Sequence, residues 1–469
     1  MSPALFLLVL ACTTKDAEDP TGDDTIEPST TDSGGDSTPT GGPDDTAPTG
    51  DSDSDVDTST DDTGGPAVRP NVLVLSIDTF SVNYLGRYSG EKDSPFLDSL
   101  LAEGLTLDNH RSCSNWTYPS FVCALSGAEL LDLGFVPYRE TAGYLPAPNE
   151  ITFFAEHLQE RGYQSSLVST NLFMSADVRT AQGYDEEVVI GYAPADAVVS
   201  KGLDFLDTMT AASEAPWLLH LHFLDLHSPY HPPNEYIDGY KEFEFLPWDL
   251  GVTNDLTQLE NDWAGLTDDV KERVLAQLQA RYRGQLRFLD DQLTSLFADL
   301  ETRGALEDTV VVIFTDHGEQ LFEHDTLGHD DSLYEEENRA LASFWGAGFS
   351  PETWDGPTTH SDILPTLFDR LGWAQSPEFT GVPAGQAEKD RLMKTLFWRG
   401  QDTLLAAIQG DDKILYSWAG EWEYYNITTD PTELIDLGDD APESLKTALE
   451  EMATTLHSDY FPDTPAPTF

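Results

Sequence analysis

Two unbroken apolar runs, Val72-Leu73-Val74-Leu75 within Asn71–Ile77 and Val310-Val311-Val312-Ile313-Phe314, are each followed closely by ionisable residues, Asp78 and Asp316-His317. Runs of this length without alternation predict strands covered on both faces, as in the parallel sheets of α/β folds. In such sheets ligands bind beyond the carboxyl ends of the strands, where these side chains would lie. A third segment, His220–Asp225, alternates like a strand and enters a loop, Leu226–Pro233, whose prolines end regular structure. Ser114–Ser120 precedes a helix-like run to Gly127, with Pro119 suited to its first turn. Thr267 to Arg303 predicts one long helix. Thr267 caps it, Asp268 and Asp269 occupy the first turn, and Leu275, Leu278, Tyr282, Leu286, Leu289 and Leu293 recur at helical spacing.

The strand ends supply metal-ligand chemistry. Asp78, Asp316 and His317 offer two hard oxygens and one nitrogen, a set that suits zinc or manganese and is also compatible with calcium. Thr117 would complete the ligands at the positive end of its helix, and coordination would activate an otherwise weak nucleophile for attack on phosphorus or sulfur. His227, in the proline-rich loop, and His329, after Gly328, are candidates to bind the ester's oxygens or protonate its leaving group. His220 and His222 read as sheet histidines and His231 as a loop residue. A second cation on His227, His231 and His329 is not expected, because Pro229 interrupts the helix their spacing would need.

Seven segments in order resemble the sulfatase family of the alkaline-phosphatase-like superfamily: Asn71–Thr79, Ser94–Leu100 with Glu103-Gly104, Thr117–Ser120, Asp225–Tyr230, Thr315–Glu319, Gly328-His329 and Ser361–Leu367. The resemblance implies an α/β fold with a mostly parallel central sheet flanked by helices and a small C-terminal α+β subdomain. It also implies a divalent metal and a covalent intermediate on the nucleophile. Lys413–Tyr416, Trp422–Asn426 and Asp430–Glu433 look like the small sheet of such enzymes, with a final helix from Pro442 to His457. The domains expected are a catalytic unit over 67–375 and the subdomain over 376–469.

Departures from the family pattern bear on chemistry. Sulfate-cleaving members carry a cysteine or serine, oxidised to formylglycine, in a Cys/Ser-x-Pro-x-Arg turn. Here Thr117 stands at that place and Phe121 replaces the arginine. The lysine-tryptophan-histidine segment of many members is absent, the region reading Val168–Phe173, and the usual pair of adjacent aspartates is reduced to Asp78 after Ile77. The set Asp78, Thr117, Asp316, His317 is similar to the single-metal sites of threonine-nucleophile relatives that act on phosphoesters. The expected activity is therefore hydrolysis of phosphate or sulfate esters, on a glycan or lipid carrier. An envelope transferase of phospho-headgroups and a surface-anchored, non-catalytic glycan-binding protein are the alternatives.

Composition adds a compartment and excludes a partner. Ala4–Cys12 is too short to span a bilayer and resembles a bacterial lipoprotein signal, which would leave Cys12 lipidated in the cell envelope. Residues 13–66, almost wholly Asp, Thr, Ser, Gly and Pro, predict an extended acidic tether that cannot bury enough apolar surface to fold. That segment holds 16 acidic residues and one lysine, so −46 of the net −61 belongs to the rest of the chain. Such an excess argues against nucleic acid as partner, leaves a lipid anchor as the expected membrane contact, and suggests a saline habitat. Arg87, Arg111 and Arg339 are candidates to compensate an anionic substrate. Cys113 and Cys123 flank Thr117 and are expected either as a disulfide or as two buried thiols.

Overall fold

The computed structural model describes residues 69–140 and 143–469. The signal-like start, Cys12 and the acidic segment to residue 66 lie outside these residues. Among the described residues no helix is long and apolar enough to cross a membrane.

The central sheet has eight strands: β1 (Asn71–Ile77), β2 (Leu105–Leu107), β3 (Gln164–Ser169), β4 (Glu186–Val189), β5 (Trp217–Phe223), β6 (Thr309–Thr315), β7 (Ala342–Gly346) and β8 (Glu352–Trp354). Their order is β8-β2-β7-β6-β1-β5-β3-β4. β1 runs parallel to both β5 and β6, and only β7 is antiparallel to its neighbours. In-register pairing of Ile77 with Thr315 brings the residues that follow, Asp78 and Asp316, to one edge.

The apolar runs are uninterrupted because each face of the sheet has its own core. Val72, Val74, Val310, Val312 and Phe314 pack with Tyr118, Phe121 and Val122 of α2 (Thr117–Ser126) on one side. Leu73, Leu75, Ile77, Val311 and Ile313 pack on the other with α3 (Ala195–Ala212) and α4 (Asp268–Thr302). α1 (Pro95–Glu103) joins that second layer through Leu97, Leu100 and Leu101. Leu278, Tyr282, Leu286, Leu289 and Leu293 of α4 are all fully buried, each contributing roughly 1.5–3 kcal/mol.

α4 follows the expected bounds, with one correction. Thr267 occupies the N-cap position without a side-chain cap, and only its carbonyl accepts the N–H groups of Val270 and Lys271. The C-terminal strands β9 (Met393–Phe397), β10 (Leu404–Gln409), β11 (Asp412–Ser417) and β12 (Trp422–Asn426) form an antiparallel sheet covered by α5 (Glu443–Thr455). Leu405, Ala407, Ile414, Leu445 and Leu449 join the same core as α2, so this sheet buttresses the side that carries Thr117.

Candidate metal centre and active site

The site is assembled at the carboxyl edge of β1 and β6. Asp78 follows β1, Asp316 and His317 follow β6, and all three are fully buried. One ligand atom from each lies within 4.8 Å of the others. Asp316 Oδ1 accepts the backbone N–H groups of Thr79 (3.1 Å) and His317 (2.8 Å), while Asp316 Oδ2 and Asp78 Oδ1 have no partner. Two buried carboxylate oxygens left bare side by side are costly unless a cation neutralises them, so these residues fit a metal ion. His317 Nδ1 donates to the carbonyl of Gly318 at 2.9 Å, which leaves the Nε2 lone pair facing the carboxylates, as a metal ligand requires. Burial and the neighbouring His329 keep His317 neutral, its pKa pushed well below the ordinary value.

Asp78 and Asp316 titrate in opposite directions. Burial pushes Asp78 upward, but the hydrogen-bonding contact with His222 and the surrounding imidazoles outweigh it and hold it low. Burial and the charge on Asp78 push Asp316 well up. Without a cation the pair therefore keeps a proton on Asp316.

Thr117 opens α2 and turns its hydroxyl toward this cradle: Oγ1 lies 3.4 Å from Asp78 Oδ2 and 3.5 Å from His317 Nε2. It is not a helix cap, that position belonging to Trp116, so its hydroxyl is free for the site. Cys113 and Cys123 form a disulfide across this turn, with Cα atoms 6.5 Å apart. The turn after β1 is held in an unusual conformation, Thr79 having φ +53°, and Tyr282 of α4 fixes it by donating to the Thr79 carbonyl at 2.8 Å. Gly318 is required by a close backbone approach, since a Cβ there would fall 1.9 Å from the Glu336 carbonyl oxygen.

His227 and His329 stand beside the cradle. The His329 ring centroid lies 4.5 Å from that of His317 and 5.1 Å from that of His227. Burial disfavours charge on His329, but Glu319, bonded to its Nδ1 at 3.0 Å, overrides this and pushes the pKa up to about 10. Tyr230 donates to the other oxygen of Glu319 at 2.6 Å and fixes that carboxylate. His227 Nδ1 is engaged by the Ser228 carbonyl, leaving Nε2 as the working nitrogen.

Three site residues were not legible as such in the sequence. Asn171, in the segment that departs from the family pattern, donates Nδ2 to Asp78 Oδ2 at 2.8 Å and lies 3.4 Å from Thr117 Oγ1. His222 is more than a sheet histidine. A line of hydrogen bonds runs from the Tyr184 hydroxyl to His220 Nδ1 (2.8 Å), from His220 Nε2 to Ser76 Oγ (2.8 Å) and from Ser76 to His222 Nδ1 (3.0 Å). His222 Nε2 then faces Asp78 Oδ2 at 3.4 Å. The alternation of His220 and His222 was the available signal, since two imidazoles on one face of a buried strand need partners. His360 completes the set by donating to the Asp316 carbonyl at 2.9 Å.

The three arginines singled out as compensating charges are engaged elsewhere. Arg111 is buried against Glu335, Arg87 pairs with Asp108, and Arg339 lies over the Tyr88 ring. Phe121 is fully buried, edge-on to His222 with centroids 5.0 Å apart, so a packing residue occupies the place of the family's arginine.

Residues 70–373 match the family model described as Sulfatase. The chain belongs to the sulfatase family. Within the family it is 25% identical over 307 residues to an arylsulfatase of Clostridium perfringens, a match covering 60% of each chain. It is 22% identical over 434 residues to a choline-sulfatase of Rhizobium meliloti, covering 79% of this chain and 80% of that one. A solved phosphonate monoester hydrolase from Silicibacter pomeroyi shares the fold with a TM-score of 0.64 and 17% identity, over 84% of this chain and 96% of that one. The mostly parallel sheet and small antiparallel C-terminal sheet are those of this alkaline-phosphatase-like architecture.

Proposed function

We propose that the protein is a metal-dependent hydrolase of phosphate or sulfate esters that uses Thr117 as its nucleophile. The observation that carries this reading is the placement of Thr117 Oγ1, 3.4 Å from Asp78 Oδ2 and 3.5 Å from His317 Nε2, on the same buried cluster in which Asp78 Oδ1 and Asp316 Oδ2 have no hydrogen-bond partner. Asp78, Asp316, His317 and Thr117 would hold the cation. When bound, a divalent cation supplies the positive charge that lowers the pKa of a nearby hydroxyl and neutralises the ester's oxygens. Zinc and manganese suit the nitrogen and oxygen donors best.

The chain's own groups carry the proton movements. The Thr117 hydroxyl, held beside Asp78 and His317, would release its proton to solvent under the cation's charge, and its oxygen bonds to phosphorus or sulfur as the ester C–O–P or C–O–S link breaks at the heteroatom. His329, charged at neutral pH, protonates the departing alcohol oxygen. Water then cleaves the threonine ester, with His227 Nε2 taking its proton and Thr117 regaining its own. Asn171 fixes the orientation of Asp78 and Thr117 together. Relatives named for sulfate and phosphonate esters support both electrophiles.

Turnover of nitrophenyl phosphate and nitrophenyl sulfate by metal-loaded protein, with peptide mass mapping of an acid-quenched reaction, tests the reading. A phospho- or sulfo-adduct on Thr117, lost with at least ~10³-fold of the rate in Thr117→Ala and retained in Thr117→Ser, is expected. An adduct elsewhere, or full activity in Thr117→Ala, would refute it.

A further inference from the structure

Glu337, in the short helix Glu335–Asn338, is 1% exposed and takes no part in the proton movements above. Its carboxylate is surrounded by donors. Oε1 accepts Gln320 Nε2 at 2.5 Å and the Ser332 hydroxyl at 2.6 Å. Oε2 accepts Asn115 Nδ2 and the Asp330 N–H, each at 3.0 Å, and the Ser332 N–H at 3.4 Å. The backbone carbonyl of the same residue accepts the Gly318 N–H at 2.8 Å. A buried carboxylate is costly unless donors fill its lone pairs, and this one is filled from several segments at once. Asn115 stands two residues before Thr117, Gly318 follows His317, Gln320 follows Glu319, and Asp330 follows His329. Asn115 Nδ2 also reaches the Ser332 carbonyl at 2.6 Å, a direct tie between the Thr117 turn and the loop after His329. The Thr117 turn is already fixed by α2 and the Cys113–Cys123 bond. The loop is less regular. Asp330 has φ +69°, a left-handed conformation that a non-glycine residue keeps only when its neighbours hold it. The exposed Arg399 holds the Asp330 carbonyl at 3.0 Å, and Glu337 holds its N–H from inside.

We infer that Glu337 is a positioning residue: it holds the loop that carries His329 at a fixed separation from the Thr117 turn, so that His329 meets the departing oxygen of an ester attacked by Thr117. Glu337 itself touches none of the reacting atoms. A displacement of about 1 Å in such an acid costs on the order of a hundredfold in rate. The cost depends on the ester. An alkyl alcohol leaves poorly without a proton, whereas nitrophenolate leaves without one, so misplacing His329 penalises the first and spares the second. This inference rests on the hydrolase reading above and adds the group that sets its acid.

The test measures kcat/KM, which reports formation of the threonine ester, for metal-loaded, full-length protein on propyl and 4-nitrophenyl esters of phosphate and sulfate. It is run at pH 8, above the value of about 7 to which burial pushes the Glu337 carboxyl. Glu337→Met keeps the length of the side chain and removes its acceptors. It should lower kcat/KM by about a hundredfold on the propyl ester and by no more than about fivefold on the nitrophenyl ester. Asn115→Leu cuts the tie from the other end while Glu337 stays bonded to Asp330, Ser332 and Gln320. It should lower the propyl-to-nitrophenyl ratio by about fivefold or more, and it decides the question if Glu337→Met does not fold. General loss of folded protein lowers both rates equally and leaves that ratio alone. A ratio unchanged in Glu337→Met, or in Asn115→Leu where the first variant does not fold, would overturn the inference and leave the hydrolase intact. Failure of the unaltered protein on every one of these esters would instead refute the hydrolase reading.

Discussion

Asp78 and Asp316 follow adjacent parallel strands in register, and each leaves one buried carboxylate oxygen without a partner, Oδ1 of the former and Oδ2 of the latter. Two such oxygens repel in a dry site, and the repulsion is relieved by a cation or by a shared proton. In cation-free protein at neutral pH Asp316→Asn should therefore raise stability by about 1–3 kcal/mol, since the variant folds without the proton uptake that burial beside Asp78 imposes on the Asp316 carboxyl. It should also abolish the rise in Tm that zinc or manganese gives the unaltered protein. Thermal melts of both proteins, with chelator and with added metal, check the crossing of the two effects.

His222 stands between the relay from Tyr184 and the candidate ligand Asp78. Aligned hydrogen bonds polarise one another, and groups that orient a metal ligand typically alter affinity by about 10–100-fold when removed. His222→Leu should weaken metal binding by about tenfold, measured by chelator competition, whereas His222→Gln, which keeps a side-chain N–H donor, should recover most of it. Equal losses in the two variants would reduce the role of His222 to packing against Phe121.

The Cys113–Cys123 bond closes a short loop around Thr117. Its removal in a Cys113→Ser, Cys123→Ser protein should cost about 2–3 kcal/mol on chain-entropy grounds. Because the bridge spans the Thr117 turn, kcat should fall with stability. Intact mass with and without reductant, followed by urea unfolding, checks both points.

Asp290 on α4 caps α1 by accepting the Phe96 and Leu97 N–H groups at 2.9 and 2.8 Å, yet burial pushes its pKa up to about 6. A carboxyl whose pKa is higher folded than unfolded contributes stability below its unfolded pKa, near 4, and that contribution is lost as pH rises through about 6. The stability difference between Asp290→Asn and the unaltered protein should thus shift toward the variant by roughly 1–3 kcal/mol between pH 4 and pH 6.5. Urea unfolding at four pH values measures it. A difference independent of pH would mean that the two backbone bonds hold Asp290 near its ordinary value.

The sequence by itself determined the strands, the long helix and the residues that could grip a metal. Val72–Ile77 and Val310–Phe314 can only be strands buried on two faces, and ionisable groups placed directly after them need partners wherever the chain goes. Local pattern thus marked Asp78, Asp316 and His317, because the cost of burying charge is legible wherever an apolar run abuts it, whereas Thr117 was marked by its place before Pro119 at a helix start. The pairing of those ends was decided by the tertiary structure. Register between β1 and β6 set Asp78 beside Asp316, and the pairing of β5 with β1 brought the strand residue His222 to face Asp78. Asn171 and Glu319 meet Asp78 and His329 only through neighbours at least ten residues away in sequence, so no window of local sequence could place them. The partners of Arg87, Arg111 and Arg339, namely Asp108, Glu335 and the Tyr88 ring, were likewise decided by the fold and not by local sequence.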